Sequence, residues 1–127
     1  MTAAAVERMV RRWQKRLHLD VWEIEVQTVS GEYADEKAFT RATAAWRRQS
    51  YAAIITVALG HPDTTIERNV IHELIHLLLV PWWEGQERVC DRFQNKEVGR
   101  ELSVELGAYE ERVVEHLARV LMECWNA

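Results

Sequence analysis

The sequence has few of the features that define disulfide-bonded or membrane-spanning chains. Only two cysteines occur in 127 residues, too few for a disulfide framework. No apolar run reaches membrane-spanning length, because polar residues interrupt the richest run at positions 72, 73 and 76. The N-terminus has no apolar core of the signal-peptide type. We therefore expect reduced thiols, no membrane span and a cytoplasmic location.

An excess of positive charge is also missing. The formal net charge is −4, so binding to nucleic acid through bulk charge is not expected. Five basic residues do cluster near the N-terminus, and we interpret them as the solvated face of a helix rather than a phosphate-binding patch. They are Arg8, Arg11, Arg12, Lys15 and Arg16.

Hydrophobic periodicity predicts one helix and then three strands. Apolar residues at helical spacing indicate an amphipathic helix over residues 3–17. Alternating patterns follow over residues 21–28, about 40–47 and 51–59, with a polar hairpin connection between the last two. The third run is rich in Ile, Val and Ala, which is typical of a central strand. No repeat or linker interrupts the chain, so residues 1–127 are expected to form one domain.

A second helix is predicted after the break at residues 60–63. Thr64 and Glu67 have capping-box spacing at its start, and Pro81 marks its end. Its apolar residues are too many for a single stripe, so we expect burial on several sides. They are Ile66, Val70, Ile71, Leu74, Ile75, Leu77 and Leu78.

The rest of the chain is predicted to be a loop and a last helix. Residues 82–102 are mixed and charged, and we interpret them as a loop with at most a short helix. A long helix is expected from about residue 103 to 124, facing the core with Leu106, Val113, Leu117, Val120 and Leu121. The order of elements predicts an α+β fold with a small three-stranded sheet.

The buried helix carries the sequence HELIH at residues 72–76. Histidines four residues apart share one helix face, so His72 and His76 can bind the same zinc ion. Glu73 lies beside that face, where it can act as a general base on a water molecule. Asn69 lies on the same face, three residues before His72. Polar groups in so apolar a helix need partners, and a metal ion would supply one.

A catalytic zinc needs a third protein ligand, and the predicted last helix offers several. Glu111, Val114, Glu115 and Ala118 share one face through spacings of three, four and seven residues. The small Ala118 would let this helix approach the zinc helix closely. The residues alone leave five candidate ligands open, which are Glu110, Glu111, Glu115, His116 and Cys90.

This arrangement resembles the gluzincin branch of zincin metallopeptidases, to which thermolysin belongs, and above all the very small gluzincin-like proteins of phages and prophages. In that branch a ligand glutamate on a later helix is followed by an acidic or amide residue at four and a small residue at seven. Glu111, Glu115 and Ala118 match this pattern. The resemblance spans residues 40–122. It implies that Glu111 is the third ligand and that Glu115 holds one of the zinc histidines.

The resemblance extends to the strand before the zinc helix. In thermolysin-like folds the corresponding edge strand binds the substrate backbone, which implies that Ala44, Ala45 and Trp46 contact substrate. Val114 departs from the pattern, because related small families usually have Ala there. Further candidates are Trp82 and Trp83 for the pocket wall, and Tyr51, Tyr109 and His116 for an oxyanion-stabilising donor.

The resemblance implies a zinc-dependent metallopeptidase with one Zn²⁺ per chain, Glu73 as general base and a peptide or protein substrate. Two alternatives stay open. The first is a SprT-like protease acting on DNA-bound proteins, in which the basic first helix would touch DNA. The second is a zinc-binding regulatory or latent module whose cleft is covered by residues 82–102. The oligomeric state is not predicted.

Overall fold

The computed structural model describes residues 1–126, which contain four α-helices and three strands. This composition confirms the predicted α+β class with a small three-stranded sheet. Helix α1 spans Ala3–Arg16, the strands β1, β2 and β3 span Glu23–Val29, Ala42–Arg47 and Ala52–Ala58, and helices α2, α3 and α4 span Asp63–Leu78, Val80–Asp91 and Lys96–Asn126.

The sheet is mixed, with the strand order β1-β3-β2. Strand β3 lies in the centre, as its composition predicts, parallel to β1 and antiparallel to β2. A 3-10 turn at Arg48–Ser50 joins β2 to β3, and Tyr51 closes the hairpin with a φ of 49°. Strand β2 is therefore an edge strand, and it lies beside helix α2.

Helices α1 and α2 pack on one face of the sheet and share a single core with it. Alternate residues of the strands, such as Ile24 and Ile55, point into this core. The basic residues of α1 are mostly exposed, as predicted, and Arg11 also donates to the carbonyl oxygen of Ile24 at 2.7 Å. Trp13 donates to the Glu67 carboxylate at 2.9 Å, which fastens α1 to α2.

That contact corrects the predicted start of α2. The helix begins at Asp63 after Pro62, and no side chain caps it. The proposed capping box of Thr64 and Glu67 is therefore wrong, because the Glu67 carboxylate accepts from Trp13 and Arg12 instead. The predicted burial of α2 is confirmed for six of its seven apolar residues, and Leu78 is 48% exposed.

The segment predicted to be a loop is mostly helical. Helix α2 does end before Pro81, but Pro81 lies in the first turn of α3, where its missing N–H costs nothing. Helix α4 starts at Lys96 rather than near residue 103, and the Asn95 side chain accepts from the backbone N–H groups of Glu97 and Val98. Residues 82–102 therefore contribute two helical segments.

The core-facing side of α4 differs in part from the prediction, although Leu121 does pack against the core as expected. The expected residues Val113, Leu117 and Val120 are 54%, 39% and 38% exposed. The buried positions are Gly99, Glu110, Val114 and Ala118. Gly99 packs against the end of α3, and Val114 and Ala118 enter the core where α4 packs on α2. Of the two cysteines, Cys90 is buried and Cys124 is exposed. Among residues 1–126, no helix combines the length and apolar character needed to cross a membrane.

Candidate metal centre

Helix α2 presents two different faces. Its apolar residues fill the core, and the opposite face turns His72, Glu73 and His76 toward a cleft of about 700 Å³. The side chains of His72 and His76 are only 17% and 14% exposed. The imidazoles therefore lie at the floor of the cleft, on the most deeply anchored helix of the fold.

Helix α4 crosses α2 and brings Glu111 to both imidazoles. The Glu111 carboxylate lies 2.7 Å from His76 Nε2 through one oxygen and 3.1 Å from His72 Nε2 through the other. The two Nε2 atoms are 3.2 Å apart. Ligand atoms of these three residues all lie within 4.8 Å of one another, and no other such group of metal-binding side chains occurs within residues 1–126.

These separations fit a zinc ion. Ligand atoms about 2.0–2.1 Å from a tetrahedral zinc lie roughly 3.3 Å from one another, close to the separation of the two Nε2 atoms. Two nitrogens and one carboxylate also form the donor set typical of catalytic zinc. A small cation between the three groups would offset the repulsion of two imidazole lone pairs.

Glu115 holds the His72 imidazole from its other side. Its carboxylate lies 2.9 Å from His72 Nδ1, so Nδ1 donates the hydrogen bond and Nε2 points toward Glu111 and His76. The second Glu115 oxygen lies 3.5 Å from Nε of Arg68 and of Arg119. A carboxylate that orients a metal-binding histidine in this way also raises its basicity.

The carboxylates shift the titration of the cluster. Burial lowers the pKa of His72, but hydrogen bonds to Glu111 and Glu115 outweigh it and raise this pKa to about 9. The hydrogen bonds to His72 and His76 in turn hold the pKa of Glu111 well below its usual range. In the metal-free chain a proton thus occupies the position that a cation would take.

Glu73 lies beside the cluster and lines the cleft without touching Glu111. Burial raises the pKa of Glu73 to about 7, against the opposing attraction of His72 and His76. A carboxylate with a pKa near neutrality can take up and release a proton at working pH, as a general base requires.

The cleft walls come from β2, α3 and α4. Ala44 and Trp46 line the cleft, and Trp46 packs edge-to-face on Trp83 with 6.1 Å between ring centroids. Ala45 does not line this cleft, because alternation along the strand turns its exposed side chain to the other face of the sheet. Trp82 is 52% exposed and also lies outside the wall.

Several residues predicted from the sequence to belong to the site lie outside the group of three ligand atoms. Asn69 lines the cleft, but its Nδ2 atom has no hydrogen-bond partner in the described chain, so it does not hold an imidazole. Glu110 lines the cleft and lies outside the ligand group. The remaining candidates neither join the group nor line the cleft, and they are Tyr51, Cys90, Tyr109 and His116.

Arg68 and Gly107 are among the cleft residues that were not expected from the sequence. Arg68 lies four residues before His72, and this spacing alone puts both on one helix face. Gly107 lies four residues before Glu111, where an added Cβ would meet no atom within 4 Å. A glycine inside a helix costs about 1 kcal/mol relative to alanine, which was a signal that this position serves something other than helix formation.

In comparisons with known protein families, curated proteins and solved structures, the chain matches none of them.

Proposed function

We propose that this protein is a zinc-dependent metallopeptidase of the gluzincin type, with one zinc ion held by His72, His76 and Glu111. The observation that carries the proposal is the convergence of three ligand atoms within 4.8 Å at the floor of an open cleft. The side chain of Glu111 is 58% exposed, so the ligand group is open to the cleft, and a metal held there could also bind a water molecule.

The proposed reaction is hydrolysis of a peptide bond. Zinc, when bound, would polarise the peptide carbonyl and acidify a water molecule. Glu73 accepts a proton from that water, whose oxygen then forms a bond to the carbonyl carbon. The carbon–nitrogen bond breaks, and Glu73 delivers the proton to the leaving amine nitrogen. Glu115 keeps His72 in the tautomer whose Nε2 lone pair faces the metal.

The substrate fits along β2. An edge strand offers unpaired backbone N–H and C=O groups, which can bind an extended peptide as an additional strand. Ala44 and Trp46 turn their side chains toward the cleft that contains the ligand group. The small Ala44 leaves room there for a substrate side chain, and the backbone contacts suit many peptide sequences.

One argument for the alternative of a latent module is weakened by the position of residues 82–102. That alternative has the segment 82–102 cover the cleft, but the segment folds into α3 and the start of α4, and from it only Trp83 lines the cleft. The DNA-associated alternative requires a free basic face on α1. Arg11 and Arg12 are already paired with Glu7 and Glu67, and Arg16 stacks on two tryptophan rings.

A paired measurement on wild type and Glu73→Gln tests the proposal. The amide keeps the size of Glu73 but cannot accept a proton at neutral pH. Zinc content should stay at one per chain, and turnover of a peptide library should fall by roughly two or more orders of magnitude. Turnover that persists unchanged, or zinc lost from Glu73→Gln, would contradict the role given to Glu73.

A further inference from the structure

Glu110 occupies a position in α4 where an apolar residue would be expected. It lies on the buried side of the helix, four residues before Val114 and eight before Ala118, and it is only 8% exposed. A carboxylate that is so nearly buried is costly unless it finds a partner. The choice of glutamate at a buried helix position therefore calls for a reason other than packing.

No partner for Glu110 exists among residues 1–126. The other carboxylates of the cleft have roles, since Glu111 and Glu115 bind the imidazoles and Glu73 is the proposed base. Arg68 pairs with Glu115, and Arg41, which also lines the cleft, forms no ion pair with Glu110. Glu110 lines the cleft, and its carboxylate is not fully sealed from solvent. Its oxygens are therefore reached from the cleft.

The surroundings of Glu110 suit a cation. Gly107, one turn earlier on α4, leaves the adjacent space open. The aromatic rings of Trp46 and Trp83 line the same cleft, and cations bind favourably over tryptophan faces. A buried, unpaired carboxylate with room beside it and aromatic walls in the same cleft is a chemical match for an ammonium or guanidinium group.

We propose that Glu110 is a specificity-determining residue that binds a cationic group of the peptide substrate. This inference rests on the proposed peptidase function. The cation has two sources with the same chemistry, a free α-amino group or the side chain of lysine or arginine. The proposal makes the protein selective for peptides that carry a positive charge at one fixed distance from the bond that is cut.

Peptide binding, measured by calorimetry on the zinc-loaded Glu73→Gln protein, tests this without relying on turnover. The probes are acetylated, amidated hexapeptides with lysine at one position at a time, each compared with its norleucine counterpart, and one norleucine peptide with a free N-terminus. One cationic probe should bind roughly tenfold or more tightly than its neutral counterpart, the usual value of a charge-assisted hydrogen bond. Which probe it is identifies the source of the charge.

Adding Glu110→Gln should reduce this advantage below about twofold, with zinc still at one per chain. Gly107→Leu, which retains Glu110 but fills the space beside it, should also remove the advantage. Equal binding of all probes, or a cation preference that survives Glu110→Gln, would overturn the role of Glu110 and leave the metal centre intact. A protein that binds no zinc would instead contradict the proposed function, so the two failures are distinguishable.

Discussion

Helices α2 and α4 both contribute to the ligand group, but α2 is largely buried and α4 is largely exposed. Six apolar residues of α2 are buried, and its two histidines are less than one-fifth exposed. Helix α4 is almost twice as long, yet only Gly99, Glu110, Val114 and Ala118 are buried in it. The side chain of Glu111 is 58% exposed. The fold therefore buries the α2 part of the candidate metal centre more deeply than the α4 part.

This difference predicts how the two helices should respond to zinc binding. The core holds the imidazoles of α2 in place whether or not a cation is bound. The ligand on α4 depends on the packing of Val114 and Ala118, on the contacts of Leu121, Met122 and Trp125 further along the helix, and on the polar contacts of Glu111 and Glu115. Zinc binding should thus join α4 to α2 rather than form the fold.

The largest expected effect comes from removing a ligand on α2. His72→Ala deletes both the Nε2 ligand and the partner of Glu115, so zinc content and peptide turnover should fall to background. Elemental analysis and a peptide-cleavage assay measure the two quantities. The matched control is His116→Ala, an exposed histidine of α4 outside the ligand group, which should retain both. Loss of zinc from the control alone would point to a different site.

Removal of the ligand on α4 should cost less than the loss of His72 but still be severe. In Glu111→Ala the affinity for zinc should drop by more than about a hundredfold. A hundredfold is the upper range for losing a residue that only orients a metal ligand, and Glu111 is expected to be a ligand itself. Competition with a chelator gives the affinity. Glu110→Ala, the neighbouring change, should leave zinc binding nearly unaltered, because Glu110 lies outside the ligand group. The reverse ranking of these two variants would show that the wrong glutamate has been assigned.

Glu115→Ala should have a smaller effect, because Glu115 acts on zinc only through His72. Loss of such a partner typically reduces metal affinity by about 10–100-fold. The control is Glu123→Ala, an exposed glutamate of α4 that should not alter zinc affinity. Unchanged affinity in Glu115→Ala would mean that packing alone orients the imidazole.

The mildest perturbation is a change of pH. The pKa of His72 is raised to about 9 in the metal-free chain, so below that pH zinc must displace a proton to bind. Apparent zinc affinity should therefore rise by about tenfold per pH unit between pH 6 and 8, for one proton released. Isothermal titration in buffers of different ionisation enthalpy counts the protons. An affinity independent of pH over this range would show that His72 binds zinc from its neutral form.

The contrast between the two helices also explains which features were predictable from sequence. The α2 motif is local, because a spacing of four residues puts His72 and His76 on one face in any helix. The contact of Glu111 with these histidines spans 35 residues of chain or more, and only its resemblance to gluzincins singled it out. The central position of β3 was predictable from its Ile, Val and Ala, which are typical of a central strand.

The errors have physical causes of the same kind. Val113, Leu117 and Val120 lie at helical spacing, which predicted that they face the core. In the structure α4 instead turns Val114 and Ala118 to the core, because these smaller side chains allow a closer approach to α2. The prediction used Pro81 only to end α2, although proline is equally favourable in the first turn of a new helix, where the structure has it. The role of Glu67 as partner of Trp13 depends on the packing of α1 on α2, which local spacing does not reveal.

Anomalous diffraction at the zinc edge, on crystals of the zinc-loaded protein, tests the central claim most directly. We expect one zinc per chain, about 2.0–2.1 Å from Nε2 of His72 and of His76 and about 2.0–2.2 Å from a carboxylate oxygen of Glu111. Glu115 should remain bonded to Nδ1 of His72 without touching the metal. Zinc at another position, or zinc bound to the histidines with Glu111 turned away, would contradict the account.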